Sequence, residues 1–96
     1  YLAREYVGKI RIDETDLYQF ALTSDDSSRL WIDGKMVIDH DGLHSAEMKA
    51  GYAPLARGWH DIRIVWFNKT GGAALKLAMG RIGQAPVEVA PGLLGR

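Results

Sequence analysis

The sequence predicts an all-β protein, an antiparallel β-sandwich of jelly-roll-like character. Apolar residues recur at every second position through most of the chain, which is the pattern of half-buried strands. Each alternating run is short and is bounded by Gly, Asp, Ser or Asn, which favour turns. Strands at roughly ten-residue intervals, separated by such turns, are typical of two packed antiparallel sheets.

The first half of the chain predicts two strands and then a hairpin. Residues 6–12 and residues 17–24 alternate strictly enough to form the two strands. Asp33-Gly34 separates two further alternating runs, and this dipeptide tolerates the positive φ angles of a tight two-residue turn. Residues 30–38 are therefore predicted to form a β-hairpin.

The second half of the chain predicts two regular strands and two weaker ones. Residues 60–67 and 74–80 alternate clearly, whereas residues 46–55 do so less regularly. Residues 87–89 lie between two prolines and predict an edge strand at most, because proline donates no ladder hydrogen bond.

Three local patterns predict which strands pair with each other and which side chains share a face of a sheet. The polar turns at residues 13–16 and 69–72 are expected to join strands that pair with each other. Met36 and Ile38 alternate with Val37, so these two side chains are expected to share a face of the sheet.

A length of 96 residues allows one domain with one core. We assign residues 1–83 to the β-sandwich and residues 84–96, which are rich in Pro and Gly, to an extended tail or linker. The chain starts at Tyr1 rather than Met, which favours a piece processed or excised from a larger protein.

Composition excludes several classes of function. Lys and Arg number 12 and Asp and Glu number 12, so the net charge is zero, which argues against a nucleic-acid partner. There is no cysteine, so disulfides and thiolate metal sites are excluded. No apolar run approaches the roughly 20 residues of a membrane span.

Asp25 and Asp26 are adjacent acidic residues at the end of the second predicted strand. Neighbouring carboxylates repel each other, and a bound cation is one reason to pair them, because calcium prefers hard oxygen ligands. The other interpretation is a solvated turn in which Asp and Ser accept hydrogen bonds from nearby backbone N–H groups.

Asp41 and His44 belong to a second polar segment, residues 39–44, which contains two carboxylates and two imidazoles. The segment fits neither the EF-hand loop nor the zinc-protease helix. His40 and His44 could hold zinc, but a polar loop whose histidines form local hydrogen bonds is the better interpretation.

Asn68 follows a predicted strand and precedes a flexible loop. Its amide oxygen could bind calcium, or the amide and a nearby ring could hold a sugar, or Asn68 could be a plain turn residue. Trp31, Trp59 and Trp66 are candidate stacking platforms for a sugar. Trp66 shares parity with two isoleucines and is expected in the core, whereas Trp31 is expected to be partly exposed.

No motif favours catalysis. The chain has no Gly-x-Ser-x-Gly nucleophile elbow, and Asp25 and Asp26 are too close in sequence to face each other across a scissile sugar bond. We therefore expect a non-catalytic domain, although the parent protein could be an enzyme such as a glycosidase.

An ordered set of motifs resembles the PA-fourteen domain, the β-sandwich module named after the anthrax protective antigen. The resemblance extends over roughly residues 6–80. Its motifs are Tyr18-x-Phe20-x-Leu22-x-Ser24-Asp25-Asp26, Arg29-Leu30-Trp31-Ile32-Asp33-Gly34-Lys35-x-Val37-Ile38-Asp39, Leu55-x-x-Gly58-x-His60-x-Ile62-Arg63-Ile64 and Gly71-Gly72-Ala73-x-Leu75-x-Leu77.

The resemblance implies a function and a candidate site. Modules of this family occur in toxins, adhesins, flocculins and glycosidases, and several bind carbohydrate. In the flocculin-like branch two adjacent aspartates hold a calcium ion that in turn holds sugar hydroxyls, and these match Asp25 and Asp26. Asn68 matches the asparagine that completes the site, and backbone carbonyls around Thr70 and Gly72 would fill further positions. We place Asp41 and His44 at the rim.

The resemblance also shows departures. Ser27 stands where the family usually has glycine, and the family domain is longer, with additional N-terminal strands that this chain lacks. The expectation is therefore either a compact variant or a fragment.

Together these features predict an extracellular or cell-surface module, with a periplasmic location as a further option. Its partners would be a glycan or cell-surface carbohydrate and the neighbouring domains of the parent protein, and its cofactor would be calcium. The alternative is a structural or protein-interaction β-sandwich with no glycan site.

Overall fold

The computed structural model describes residues 2–24, 27–40, 47–68, 75–89 and 94–95. In these residues the chain forms strands and no helix. The strands are β1 (Leu2–Ile12), β2 (Asp16–Ser24), β3 (Ser28–Ile32), β4 (Lys35–His40), β5 (Glu47–Leu55), β6 (Gly58–Asn68), β7 (Leu75–Arg81), β8 (Val87–Glu88) and β9 (Leu94–Gly95).

The strands form two antiparallel sheets. Sheet A has the strand order β4-β3-β6-β1-β9, and sheet B has the order β5-β2-β7-β8. Every pair of neighbouring strands is antiparallel. The predicted all-β antiparallel sandwich is therefore confirmed.

The predicted β-hairpin is confirmed by its turn. β3 and β4 pair directly on either side of Asp33-Gly34, and these two residues have φ angles of 51° and 78°. Both values lie in the left-handed region, which Gly adopts freely and Asp tolerates better than most residues.

The prediction that the turns at residues 13–16 and 69–72 join paired strands is wrong. β1 pairs with β6 and β9 in sheet A, whereas β2 lies in sheet B. β6 and β7 are divided between the sheets in the same way. A period-two pattern records which side of a strand is buried, but it does not say which strand lies beside it. These connections therefore cross between the sheets.

The prediction that Met36 shares a face with Ile38 is also wrong. The pairing register between β3 and β4 shifts by one residue along the pair. Ile38 lies opposite Leu30, but Met36 lies opposite Trp31. The irregularity turns Met36 to the outer face, where it is half exposed, and leaves Ile38 in the core. A β-bulge reverses the facing of residues beyond it, and the alternation gave no sign of one.

One apolar core fills the space between the two sheets. Phe20 and Leu22 of β2 and Leu30 of β3 are fully buried in it. Its members come from both sheets and share burial of nine-tenths or more: Ile10, Ile12, Tyr18, Phe20, Leu22, Leu30, Ile32, Ile38, Ala53, Leu55, Ile62, Ile64 and Leu77. Trp66 packs against this core, as predicted from its parity.

The segment after residue 83 adds a short strand to each sheet. β8 hydrogen-bonds to β7 at the edge of sheet B, and β9 hydrogen-bonds to β1 at the edge of sheet A. The edge strand expected near residues 87–89 is therefore present as β8. The assignment of residues 84–96 to a tail or linker stays a prediction.

β5 of sheet B approaches β4 of sheet A closely at Gly51. Gly51 of β5 lies opposite Phe20 in the register of sheet B. A Cβ atom at Gly51 would lie 2.3 Å from the carbonyl oxygen of Val37 and 2.8 Å from Cγ1 of Ile38. Only glycine fits this approach, because the nearest obstacle is backbone that belongs to the other sheet.

We predict that Gly51→Ala lowers the free energy of unfolding by about 3 kcal/mol, since overpacking forces the edges of the sheets apart. Chemical denaturation measures the change. Gly80→Ala is the matched control: its Cβ would lie 3.1 Å from Pro86 Cα, in the short segment after β7, and should cost less. A Gly51→Ala protein as stable as the wild type would contradict the close approach.

Candidate functional site

In the described residues, seven strand ends meet at one end of the sandwich, which we call the Ser24 end. In sheet B, Ser24 lies opposite both Glu47 and Leu75. In sheet A, Ser28 lies opposite both His40 and Trp66. Leu2 of β1 lies opposite Asn68 of β6. The strands β2, β4 and β6 therefore finish at this end, and β1, β3, β5 and β7 begin there.

A backbone hydrogen bond joins two of these strand ends directly. The N–H of Phe67 donates to the carbonyl oxygen of Ser27 over 2.9 Å. Ser27 immediately follows Asp26 in the chain, and Phe67 immediately precedes Asn68. The fold therefore brings the chain positions that flank two predicted ligand segments into contact.

The β4–β5 side of the Ser24 end is held by polar contacts. Nζ of Lys49 donates to the carbonyl oxygen of Asp39 over 2.6 Å, which ties β5 to β4. Nε of Arg29 donates to the Asp39 carboxylate over 3.1 Å. Ser28 and His40 are both buried here, so this end of the core contains polar groups as well as apolar ones.

Of the predicted site residues, only Asn68 lies in the part of the chain that the structure describes. Asn68 is the last residue of β6, although its side chain lies outside the described residues. Six others lie outside the described residues altogether: Asp25, Asp26, Asp41, His44, Thr70 and Gly72. In the described ranges no group of three or more His, Asp or Glu side chains could hold a metal ion. The predicted ligand set stays a prediction.

The opposite end of the sandwich contains an ionic contact that the sequence did not reveal. Nδ1 of His60 lies 2.5 Å from Oδ2 of Asp33, and its Nε2 lies 2.6 Å from the carbonyl oxygen of Ala56. The Asp33 carboxylate also accepts from the N–H of Asp61 over 3.0 Å. Asp33 and His60 are 27 residues apart in the chain, so no spacing rule could have paired them.

These contacts shift the pKa values of His60 and Asp33. The Ala56 carbonyl and then the Asp33 carboxylate raise the pKa of His60, because two acceptors are satisfied only when both ring nitrogens carry protons. Burial raises the pKa of Asp33, but the hydrogen bonds from His60 and Asp61 outweigh it, so the pKa is lowered overall. His60 is only 14% exposed, which limits screening by solvent.

A second ionic cluster fixes the same end of sheet B. Arg81, the last residue of β7, donates from Nε to Asp16 over 2.6 Å and from Nη1 to Glu14 over 2.9 Å. The hydrogen bond from Arg81 and then that from the Leu17 N–H lower the pKa of Asp16. The cluster ties the connection between β1 and β2 to β7, across the point where the chain changes sheet.

The tryptophans predicted as stacking platforms differ in exposure. Trp66 is partly buried against the core. Trp59 is 55% exposed on the outer face of sheet A, and Trp31, on the same face, is half-buried with the guanidinium of Arg63 at 4.6 Å from its ring centre. The expected partial exposure of Trp31 is confirmed.

The two antiparallel sheets, joined by connections at both ends, define a β-sandwich module. The chain belongs to the PA14 domain family, the PA-fourteen module that its motifs resemble. The sequence model of this family matches residues 3–91. No curated protein sequence matches the chain.

Solved structures include several similar folds. One is an anti-sigma factor domain-containing protein from Clostridium clariflavum, 30% identical over 96% of this chain with a TM-score of 0.85. A PA14 sugar-binding domain from an RTX adhesin is 23% identical over 97% of the chain, with a TM-score of 0.84. The PA14 domain of the antifreeze protein MpAFP is 18% identical over 96%, with a TM-score of 0.83. This chain spans 31%, 53% and 50% of those structures, respectively.

Within the part of the chain that the structure describes, no helix has the length and apolar character needed to cross a bilayer.

We predict that the free energy of unfolding falls as pH rises through the raised pKa of His60. The protonated ring stabilises the fold fully below its unfolded pKa, which is about 6.5, and this contribution is lost as pH rises through the folded value. Urea denaturation between mildly acidic and mildly alkaline pH measures the slope. Because other groups titrate in this range, the test is the difference between the wild type and His60→Gln.

His60→Gln should show the smaller loss of stability over that pH range. Equal slopes for the two proteins would mean that His60 does not take up a proton on folding, and would contradict the contacts to Asp33 and Ala56.

Proposed function

We propose that this domain is a non-catalytic, extracellular carbohydrate-binding module that uses calcium at its Ser24 end. Asp25, Asp26 and Asn68 would hold the ion, with backbone carbonyls near Thr70 and Gly72. Asp41 and His44 would contact ligand from the rim. The ligand would be a glycan of a cell surface or of an extracellular polymer.

The observation that supports this proposal most is the meeting of three connections at one end. Residues 25–26, 41–46 and 69–74 contain all the predicted ligands except Asn68, and each segment begins and ends at the Ser24 end. The hydrogen bond between Phe67 and Ser27 brings the flanks of two of them together. Residues far apart in sequence could therefore contribute to one site.

The chemistry of the donor set fits calcium. Two carboxylates, an amide oxygen and backbone carbonyls are hard oxygen donors, and calcium takes about six to eight of them. A calcium ion that is not fully enclosed by protein ligands would accept hydroxyl groups of a sugar. The protein groups would then orient the ion and select which hydroxyl pairs can reach it.

Family membership gives independent support for binding rather than catalysis. The chain is a PA14 domain, and one similar structure is described as a sugar-binding PA14 domain from an adhesin. The parent protein's activity is a further proposal, because this chain spans no more than about half of the similar structures. A glycosidase or an adhesin that carries the module would both fit.

One observation favours the alternative of a structural or protein-interaction module. The outer face of sheet B exposes Leu17, Met48 and Tyr52 around Ala21, which is itself buried. Neighbouring domains of the parent protein could cover such a face. This contact would be compatible with a glycan site at the Ser24 end, because the face and the end are different surfaces.

We predict that Asp26→Asn weakens calcium binding by about 100-fold or more, because it removes a charged ligand from the ion. Isothermal titration calorimetry with calcium chloride measures the affinity. Asp13→Asn is the matched control, since Asp13 is an exposed carboxylate that pairs with Arg11 at the opposite end of the sandwich. Absence of calcium binding in the wild type would remove the metal from the proposal.

We also predict that the wild type binds a subset of glycans on an array only when calcium is present. Addition of EDTA should abolish these signals, and Asp26→Asn should lack them in calcium. Asp13→Asn should retain them. If no glycan signal depends on calcium, the calcium-dependent carbohydrate function is wrong, and the structural alternative becomes the better account.

A further inference from the structure

The outer face of sheet A carries an ordered row of side chains away from the Ser24 end. Arg63 of β6 lies between its register partners, Val7 of β1 and Trp31 of β3. Asp61, two residues before Arg63 on the same face, lies opposite Lys9 of β1. Three adjacent strands thus present an aromatic ring, an aliphatic side chain and charged groups together.

These side chains line two adjoining hollows. A space of about 440 Å³ is lined by Glu5, Val7, Lys9 and Asp61. A second space of about 500 Å³ is lined by Val7, Trp31, Asp61 and Arg63, beside the β3–β4 turn. Both hollows share Val7 and Asp61, so they form one continuous depression across β1, β6 and β3. We call it the Val7 groove.

The charges in the Val7 groove cancel in pairs. Nζ of Lys9 lies 2.5 Å from Oδ1 of Asp61, and Nε of Arg63 lies 2.6 Å from Oε2 of Glu5. Two cations and two anions leave no net charge. A strongly anionic ligand such as a phosphate or an acidic peptide would meet two carboxylates here, so the groove favours a ligand with no charge of its own.

The paired groups keep hydrogen-bonding capacity towards solvent. Asp61 is 70% exposed, and Glu5, Lys9 and Arg63 are about half exposed. Within the described residues, Asp61 Oδ2 and Glu5 Oε1 accept no hydrogen bond, and the terminal nitrogens of Arg63 donate none. Such carboxylate oxygens can accept hydrogen bonds from the hydroxyl groups of a ligand, and the guanidinium N–H groups can donate hydrogen bonds to hydroxyl oxygens.

The apolar members of the groove suit the C–H surface of a sugar ring. Val7 is 62% exposed on the outer face of sheet A. The Arg63 guanidinium packs over the Trp31 ring, 4.6 Å from its centre. A wide, shallow space with apolar patches and exposed polar pairs suits a carbohydrate better than a lipid, which needs apolar depth.

We propose that the Val7 groove binds a neutral oligosaccharide of at least two sugar units directly, without calcium. Trp31 and Val7 contact sugar C–H groups, and Asp61, Glu5 and Arg63 hydrogen-bond to the hydroxyls. This site goes beyond the calcium site at the Ser24 end and shares no residue with it. A result that contradicts one of these two proposed sites therefore leaves the proposal for the other unchanged.

The test is an array of neutral linear oligosaccharides (glucans, mannans, xylans and galactans) probed with the wild-type chain in excess EDTA. We expect binding to at least one series, and ¹⁵N-NMR titration with the strongest binder should shift the amides of Val7, Trp31 and Asp61. Trp31→Ala should weaken this binding about tenfold or more, because it removes an aromatic contact. Trp59→Ala is the matched control: Trp59 is exposed on the same sheet face but lines neither hollow.

Asp61→Asn keeps the proposal testable if Trp31→Ala does not fold. It preserves side-chain shape at a largely exposed position and should weaken binding several-fold. The proposal is overturned if no neutral oligosaccharide binds in EDTA, or if both groove variants bind as well as the wild type. It is also overturned if the groove amides shift with protein concentration alone, which would make the groove a self-association surface.

Discussion

Burial of one face of each sheet is the constraint on which the rest of the structure depends. Phe20 and Leu22 of sheet B and Leu30 and Ile64 of sheet A share one core. Because side chains alternate along a strand, burying these residues also fixes which residues face solvent. The same constraint brings the edges of the two sheets together at Gly51, where no larger residue fits. Strand positions and strand ends are therefore set by packing, and connections can vary without disturbing them.

Strand faces and strand connections are different surfaces of the domain, and each carries one of the two proposed binding sites. The calcium site would lie on connections at the Ser24 end, where β2, β4 and β6 finish. The Val7 groove lies on strands, so its side chains are held by the sheet and by ion pairs rather than by a metal. At the far end, the contact between His60 and Asp33 and the cluster around Arg81 hold turns and crossings in place. These ionic contacts stabilise the scaffold and are distant from the proposed calcium ligands.

Much of the fold could be predicted from the sequence, because alternation reports burial directly. The strands, the turn at Asp33-Gly34 and the burial of Trp66 followed from local pattern and parity. The strand partners could not be predicted in this way, since β1 and β2 are consecutive in the chain but lie in different sheets. The bulge that exposes Met36 left no trace in the alternation. At the site, Asp25, Asp26 and Asn68 became candidates from their side-chain chemistry and their places after strands, and the resemblance combined them into one ligand set. The pairing of His60 with Asp33, and the assembly of the Val7 groove, depend on register between distant strands and could not be read from spacing.

We propose that calcium binds where the connections after β2 and β6 meet. The most direct measurement is a calcium titration of the wild-type chain followed by ¹⁵N-NMR, with magnesium as the comparison ion. The account predicts saturable shifts at Ser24, Ser27, Phe67, Asn68 and Leu75, which flank the proposed ligands, and much weaker effects of magnesium. Shifts confined to other parts of the domain, or no shifts on addition of calcium, would contradict it.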